Sequence, residues 1–207
     1  MNALVTVLAA YLIGSVSFAV MMSRVFSLPD PRSYGSGNPG ATNVLRTGKK
    51  LAALFTLLGD AGKGAFVVWL AQVLSDRLQL SSEVIEAVAL AVFLGHLYPV
   101  YHRFQGGKGV ATAAGIFIAL HWPFGLALIA VWAAVLAVSR VSSLAALCGA
   151  FSAAPLAYYF FGLSTKTLLV FCIALLLIWR HRSNIMLLLA GRERRVRGSD
   201  GENTLNR

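Results

Sequence analysis

Residues 109–139 read GVATAAGIFIALHWPFGLALIAVWAAVLAVS, 31 residues without Asp, Glu, Lys or Arg. A membrane-spanning helix needs about 20 apolar residues to cross a hydrocarbon core about 30 Å thick. At about 1.5 Å per residue, this run is too long for one comfortable span and short for two. His121-Trp122-Pro123 stands inside it. Proline breaks a helix interior, and tryptophan favours the membrane–water interface. The run therefore splits into a short helix over 110–120 and a longer one over 123–138.

The rest of the chain sets the context for that split. Of 207 residues, 57% are hydrophobic and 13% charged. A soluble domain has about 25% charged residues, and disorder requires low hydrophobicity with high charge. The remaining class is an all-α integral membrane protein. Uncharged stretches also cover 1–23, 64–75, 87–102, 141–165 and 167–179. No Lys or Arg precedes the first, as a cleaved signal peptide would require, so it reads as a true first span.

Loop charge then assigns sides. Residues 24–50 carry net +4, residues 76–86 net −2, residues 103–108 net +2 and residues 180–207 net +4. Positive loops face the cytoplasm. The N-terminus is therefore outside, and the loops 24–50 and 103–108 and the C-terminal tail are inside. From 108 to the tail the chain must cross an even number of times. One crossing in 109–139 would make three in all; two make four. Seven spans result, with Ser142 and Ser143 on the cytoplasmic side. Residues 1–197 read as one multi-pass domain and 198–207 as a disordered tail.

Residues 51–75 are interrupted by Asp60 and Lys63. Intramembrane charges cost about 2.5–3.5 kcal/mol each at a helix centre on insertion scales. Either the two pair at i,i+3 and face the bundle, or 51–59 lies shallow and the span starts near 62. Cys148 and Cys172 sit in apolar runs and read as small buried hydrophobes, not a disulfide framework.

Three polar islands share the cytoplasmic side. In the first, Ser33-Tyr34-Gly35-Ser36-Gly37-Asn38-Pro39-Gly40-Ala41-Thr42-Asn43, the glycines allow consecutive N–H groups to converge on an anion as a nest. Arg46 follows, with a planar fork suited to phosphate. The second runs from Gly95-His96 through Pro99 and His102 to Gly106-Gly107-Lys108-Gly109-Val110-Ala111-Thr112. It is not a Walker A loop, which needs G-x-x-x-x-G-K-[ST]. A glycine turn, a lysine and a helix N-terminus still bind anions without a nucleotide. His96 reads as a packing histidine near a kinked helix end, and His121 as an interfacial structural one. The third island is Arg180-His181-Arg182-Ser183-Asn184-Ile185, where His181 and Asn184 lie three apart, on one face of a helix. The apolar residues 185–190 after it could lie in the interface.

No metal-ligand spacing and no G-x-S-x-G elbow occurs. Nucleic acid is an unsuitable partner for so apolar a chain. A site at the cytoplasmic boundary suits joining a soluble anion to a lipidic one. An organic-phosphate permease is the rival from another class, but it would place polar groups at midplane on broken helices.

The segments Gly35-Ser36-Gly37-Asn38-Pro39-Gly40-Ala41-Thr42-Asn43, then Gly95-His96 with Pro99 and Gly106-Gly107-Lys108-Gly109-Val110-Ala111-Thr112, then Arg180-His181 with Asn184-Ile185, Gly191 and Glu193, resemble the PlsY family. Asp60 and Lys63-Gly64 are similar to the family's Asp-x-x-Lys-Gly. The resemblance implies a bacterial inner-membrane glycerol-3-phosphate acyltransferase of phospholipid synthesis, with seven spans and a cytoplasmic site. It implies acyl phosphate as donor, glycerol 3-phosphate as acceptor and no cofactor. The enzyme that forms the acyl phosphate is a candidate partner, besides the bilayer itself. Carried over residue by residue, it implies His181, Asn184 and Ser36 as catalytic. As substrate-binding it implies Arg46, Lys108, Gly37, Gly40, Asn43, Gly106, Gly107, Gly109, Ser142, Ser143 and Glu193. Where the family often has basic residues after Asn184-Ile185, this chain has Met186 and Leu187. Acyltransferases that use acyl-CoA or acyl-carrier protein carry His-x-x-x-x-Asp, and none of the four histidines here is followed by that Asp.

Overall fold

A computed structural model describes residues 1–196; the expected tail at 198–207 lies outside the described residues. Those residues form helices joined by short turns, with no strand among them. The helices are α1 (Asn2–Gly14), α2 (Phe18–Val25), α3 (Ala41–Leu45), α4 (Lys50–Val73), α5 (Ser75–Leu78), α6 (Ser82–Leu97), α7 (Val110–Leu120), α8 (Trp122–Ser139), α9 (Ser142–Phe161), α10 (Thr165–Arg180) and α11 (Arg182–Leu189). Four of them, α4, α6 (with the 3₁₀ turn after it), α8 and α9, are long and apolar enough to cross a membrane. The bent pairs α1–α2 and α10–α11 join them only if each pair is one span, which gives up to six among the described residues where seven were expected; α7, the remaining expected span, is an apolar helix of 11 residues.

The 109–139 run divides where expected. His121 ends α7 and caps α8, its Nδ1 accepting the N–H of Phe124 at 3.4 Å. Its ring lies among Phe160 and Phe161, with centroids 5.3 and 5.4 Å away.

Two boundaries differ from expectation, the first and third below, and one question left open is answered. The first span is not continuous: α1 and α2 meet at a 41° bend over Ser15-Val16-Ser17. Serine hydroxyls compete with the ladder: Ser15 Oγ donates to the Tyr11 carbonyl at 2.9 Å, and Ser17 Oγ accepts from Val20 N–H. The Val16 carbonyl exposed by the break accepts from Lys63 Nζ at 2.6 Å. Second, residues 50–73 are one helix. Lys63 and Asp60 form a buried pair at 2.9 Å, with His96 Nδ1 3.5 Å from the same carboxylate oxygen. Of the two arrangements open from sequence, the pair facing the bundle is the one present. Third, α6 begins at Ser82, so Glu83 and Glu86 belong to the helix and not to a loop. Glu86 is buried and accepts from Thr165 Oγ1 at 2.9 Å.

Small residues let the helices approach closely, as membrane bundles require. At the α4–α7 crossing, a Cβ on Gly115 would fall 1.9 Å from the Ala61 carbonyl oxygen, and one on Gly64 2.5 Å from that of Thr112. This contact holds the amino end of α7 beside the middle of α4. The largest buried cluster joins Val88, Val92 and Phe93 of α6 to Ile116 of α7, Phe124 of α8 and Val170 and Ile173 of α10.

Candidate functional site

The first loop spends most of its amides on itself. Ser36 N–H donates to Asn43 Oδ1 at 2.9 Å, Gly37 N–H to the Tyr34 carbonyl and Gly40 N–H to that of Asn38. The Ser36, Gly37 and Gly40 amides of the expected nest are thus taken up within the turn. Asn43 is its centre. It is buried, and its Nδ2 donates to Pro31 and Tyr34 carbonyls at 2.7 and 3.2 Å. Its Oδ1 also accepts from Arg46 Nη1 at 3.2 Å. Asn43 touches the cavity described below, but its polar atoms hold the loop and aim Arg46. Gly37 stands back from the cavity, whereas Ser36, Gly40, Thr42 and Arg46 line it.

The second island wraps the end of α6. Gly107 N–H donates to the His96 carbonyl at 3.1 Å. A Cβ on Gly106 would lie 2.1 Å from that same oxygen, and one on Gly107 2.2 Å from His96 Nε2. Gly106 stands where the chain passes the His96 and Leu97 carbonyls, and Gly107 where it passes the His96 ring; neither is on the cavity wall. Lys108 and Gly109 do line the cavity, where α7 begins without a side-chain cap. Uncapped first-turn N–H groups and the helix dipole favour an anion there. Burial lowers Lys108 to about 8, with Glu193 opposing the shift and the Arg46 and Arg180 charges adding to it.

The third island sits at the carboxyl end of α10. α11 turns away from α10 by 58° at His181. His181 is buried, and its Nδ1 lies 2.8 Å from the Leu177 carbonyl. That carbonyl can only accept, so Nδ1 carries the proton and Nε2 keeps its lone pair. Burial holds the imidazole down to about 4, with the nearby Lys108 charge contributing. Asn184 accepts from Lys108 Nζ through Oδ1 and donates from Nδ2 to Glu193 Oε1 at 2.9 Å. Ser143 Oγ donates to the same Glu193 oxygen at 2.9 Å. Glu193, expected among substrate ligands, thus fixes which way the Asn184 amide faces.

These elements enclose one cavity of about 670 Å³. Its polar end is walled by Ser36, Arg46, Lys108, Ser142, His181 and Asn184. From there it runs between α4, α7, α8, α9 and α10 along apolar side chains that include Leu57, Phe117, Trp132, Ala146 and Ala153. Four ionisable residues of this wall, Arg192 among them, were not assigned to the site from sequence. Asp60 and His96 line it from the buried ionic cluster, and Arg194 from the segment after α11. The Asp60–His96 proximity crosses two helices and left no local signal; Arg194 looked like one of several tail arginines.

A bundle of apolar helices enclosing a chamber that is cationic at one end and apolar along its length defines an integral membrane enzyme for a substrate pair of unlike polarity. The family model for glycerol-3-phosphate acyltransferase matches residues 4–191. The glycerol-3-phosphate acyltransferase of Nitrosospira multiformis is 55% identical over 196 residues, covering 95% of this chain and 97% of its own. That of Ralstonia pickettii is 58% identical over 190 residues, covering 91% of each. Among solved structures, PlsY, an integral membrane glycerol 3-phosphate acyltransferase crystallised in its glycerol 3-phosphate form, superposes with a TM-score of 0.87. It is 36% identical, over 94% of this chain and 96% of the other. Its lysophosphatidic acid form gives 0.85 at 35% identity. The chain belongs to the glycerol-3-phosphate acyltransferase family, and within it is of the PlsY type.

Proposed function

We propose that the protein transfers the acyl group of an acyl phosphate to the 1-hydroxyl of sn-glycerol 3-phosphate, giving 1-acyl-glycerol 3-phosphate and phosphate. The observation that carries this reading is the single cavity joining a cationic end to an apolar arm. The cationic end suits the phosphates of acceptor and donor, and the arm suits the acyl chain. Arg46, Lys108 and the amino end of α7 hold phosphate, with Ser36 and Ser142 adding hydroxyl donors.

The acceptor oxygen attacks the acyl carbon directly. The bond between that carbon and the donor's phosphate oxygen breaks, and phosphate leaves. A mixed anhydride has so good a leaving group that the step needs neither an acyl-enzyme nor a metal. His181 Nε2, with its lone pair free, and the Asn184 amide orient the hydroxyl. We take a phosphate oxygen of the substrates, with a second pKa of about 6, to receive the hydroxyl proton, while burial disfavours the charged imidazole of His181.

The positive loops favour a bacterial inner-membrane enzyme with its N-terminus outside and the site on the cytoplasmic face. There it can accept donor from the enzyme that makes it. Purified protein given glycerol 3-phosphate with acyl phosphate, acyl-CoA or acyl-carrier protein in turn tests the proposal. Turnover with acyl phosphate alone is expected. Equal turnover with a thioester donor would overturn the assignment.

A further inference from the structure

Arg180, the last residue of α10, has no part in the mechanism above. Its guanidinium donates from Nε to the Gly107 carbonyl at 3.1 Å and from Nη2 to the Gly106 carbonyl at 2.8 Å. The guanidinium also lies over the Tyr98 ring, 5.5 Å from its centroid. Tyr98 is fixed in turn: its carbonyl accepts from Tyr11 OH at 2.7 Å. Arg180 thus engages two consecutive peptide carbonyls with one planar fork, a geometry that lysine cannot reproduce.

The consequence follows from peptide planarity. The Gly107 carbonyl and the Lys108 N–H belong to one trans peptide and point in opposite directions. With the oxygen turned to Arg180, the Lys108 N–H is turned away from it. On the other flank, Gly107 N–H is tied to the His96 carbonyl. The strand of backbone before Lys108 is therefore clamped between the ends of α6 and α10. Lys108 itself then reaches Asn184, and α7 starts two residues on.

We propose that Arg180 is a positioning residue. It does not bind the acceptor phosphate but holds the Gly106 and Gly107 peptides so that the Lys108 ammonium and the amino end of α7 converge on one anion. The inference rests on the phosphate-site reading given above.

Arg180→Lys and Arg180→Gln, each checked for folding by thermal unfolding in detergent, separate position from charge. Lysine keeps the charge and glutamine keeps a donor, but neither spans two carbonyls. Both variants are expected to raise KM for glycerol 3-phosphate about 10–100-fold with a smaller change in kcat. Backbone amides of 106–111 should also exchange hydrogen faster than in the unsubstituted protein. A lysine variant close to the unsubstituted enzyme, with glutamine impaired, would show that the charge acts directly on the substrate and overturn the proposal. Unchanged exchange in both variants would overturn it as well. Lys108→Ala serves as the control on the underlying reading. If it leaves KM unaltered, the phosphate site is misassigned, and the exchange rates alone then decide whether Arg180 clamps the loop.

Discussion

Lys108 and Asn184, 76 positions apart in the chain, meet directly, the ammonium donating to the amide oxygen. In the function proposed above, one residue belongs to the phosphate-binding loop and the other to the pair that orients the attacking hydroxyl. Substitutions at the two positions should therefore not act independently. Lys108→Ala is expected to raise KM for glycerol 3-phosphate by about 10–150-fold, the worth of a charged hydrogen bond. Combined with Asn184→Ala, it should cost less than the sum of the single effects, with a coupling of about 0.5–3 kcal/mol. Steady-state kinetics on the four proteins of the cycle measure this; strict additivity would dissociate the two functions.

Lys108 also sets a pH limit. Its amine is protonated below about 8 and neutral above, and only the ammonium attracts phosphate. The value of kcat/KM, which reports the free enzyme, should therefore fall as pH rises through about 8. Lys108→Arg should move that alkaline limb out of the measured range, because guanidinium stays charged. An unshifted limb would assign it to another group.

His181 is expected to orient rather than to take the proton. His181→Ala should lower kcat more than it raises KM, by about tenfold. A general base removed from the site typically costs about 10²–10⁴-fold, and a loss of that size would return the proton to the imidazole.

Direct attack makes a further expectation. Protein incubated with radiolabelled acyl phosphate and no acceptor, then denatured, should retain no acyl group. A bound acyl group that glycerol 3-phosphate discharges at the turnover rate would establish a covalent path, with Ser36 the first nucleophile to test.

The buried ion pair makes a separate prediction about folding. Lys63→Met would leave Asp60 with only His96 beside its carboxylate and free the Val16 carbonyl at the first bend. Breaking such a pair costs about 3–5 kcal/mol. Asp60→Asn together with Lys63→Met should recover part of that loss, as read by thermal unfolding in detergent.

Much of the fold was legible because hydropathy and parity are both global. The run 109–139 had to divide, and His121-Trp122-Pro123 is where it does. What escaped was chemistry satisfied at long range. The bend at Ser15–Ser17 is invisible to hydropathy, since its hydroxyls bond within the turn and its exposed carbonyl is met by Lys63, 47 positions away. Glu86 looked like loop charge because its partner, Thr165, is 79 positions distant. In the site, the types of residue were readable but not their division of labour. Asn43, Gly106 and Gly107 read as ligands in sequence; the structure adds that Asn43 ties the first loop together and that the two glycines pack against His96.

The shortness of α7 reaches beyond topology. α7 and α8 share the His121 corner, yet α7 has 11 residues and α8 has 18. At about 1.5 Å per residue, α7 stops about 10 Å short of the level to which α8 climbs. The anion-binding end of α7 is therefore recessed beneath the rim of the bundle, as at the bottom of a well. With the acyl-phosphate donor proposed above, a reactive anhydride drawn to that depth would be held away from bulk water. The length of one helix would then favour transfer over hydrolysis, the wasteful competitor of every transfer from such a donor.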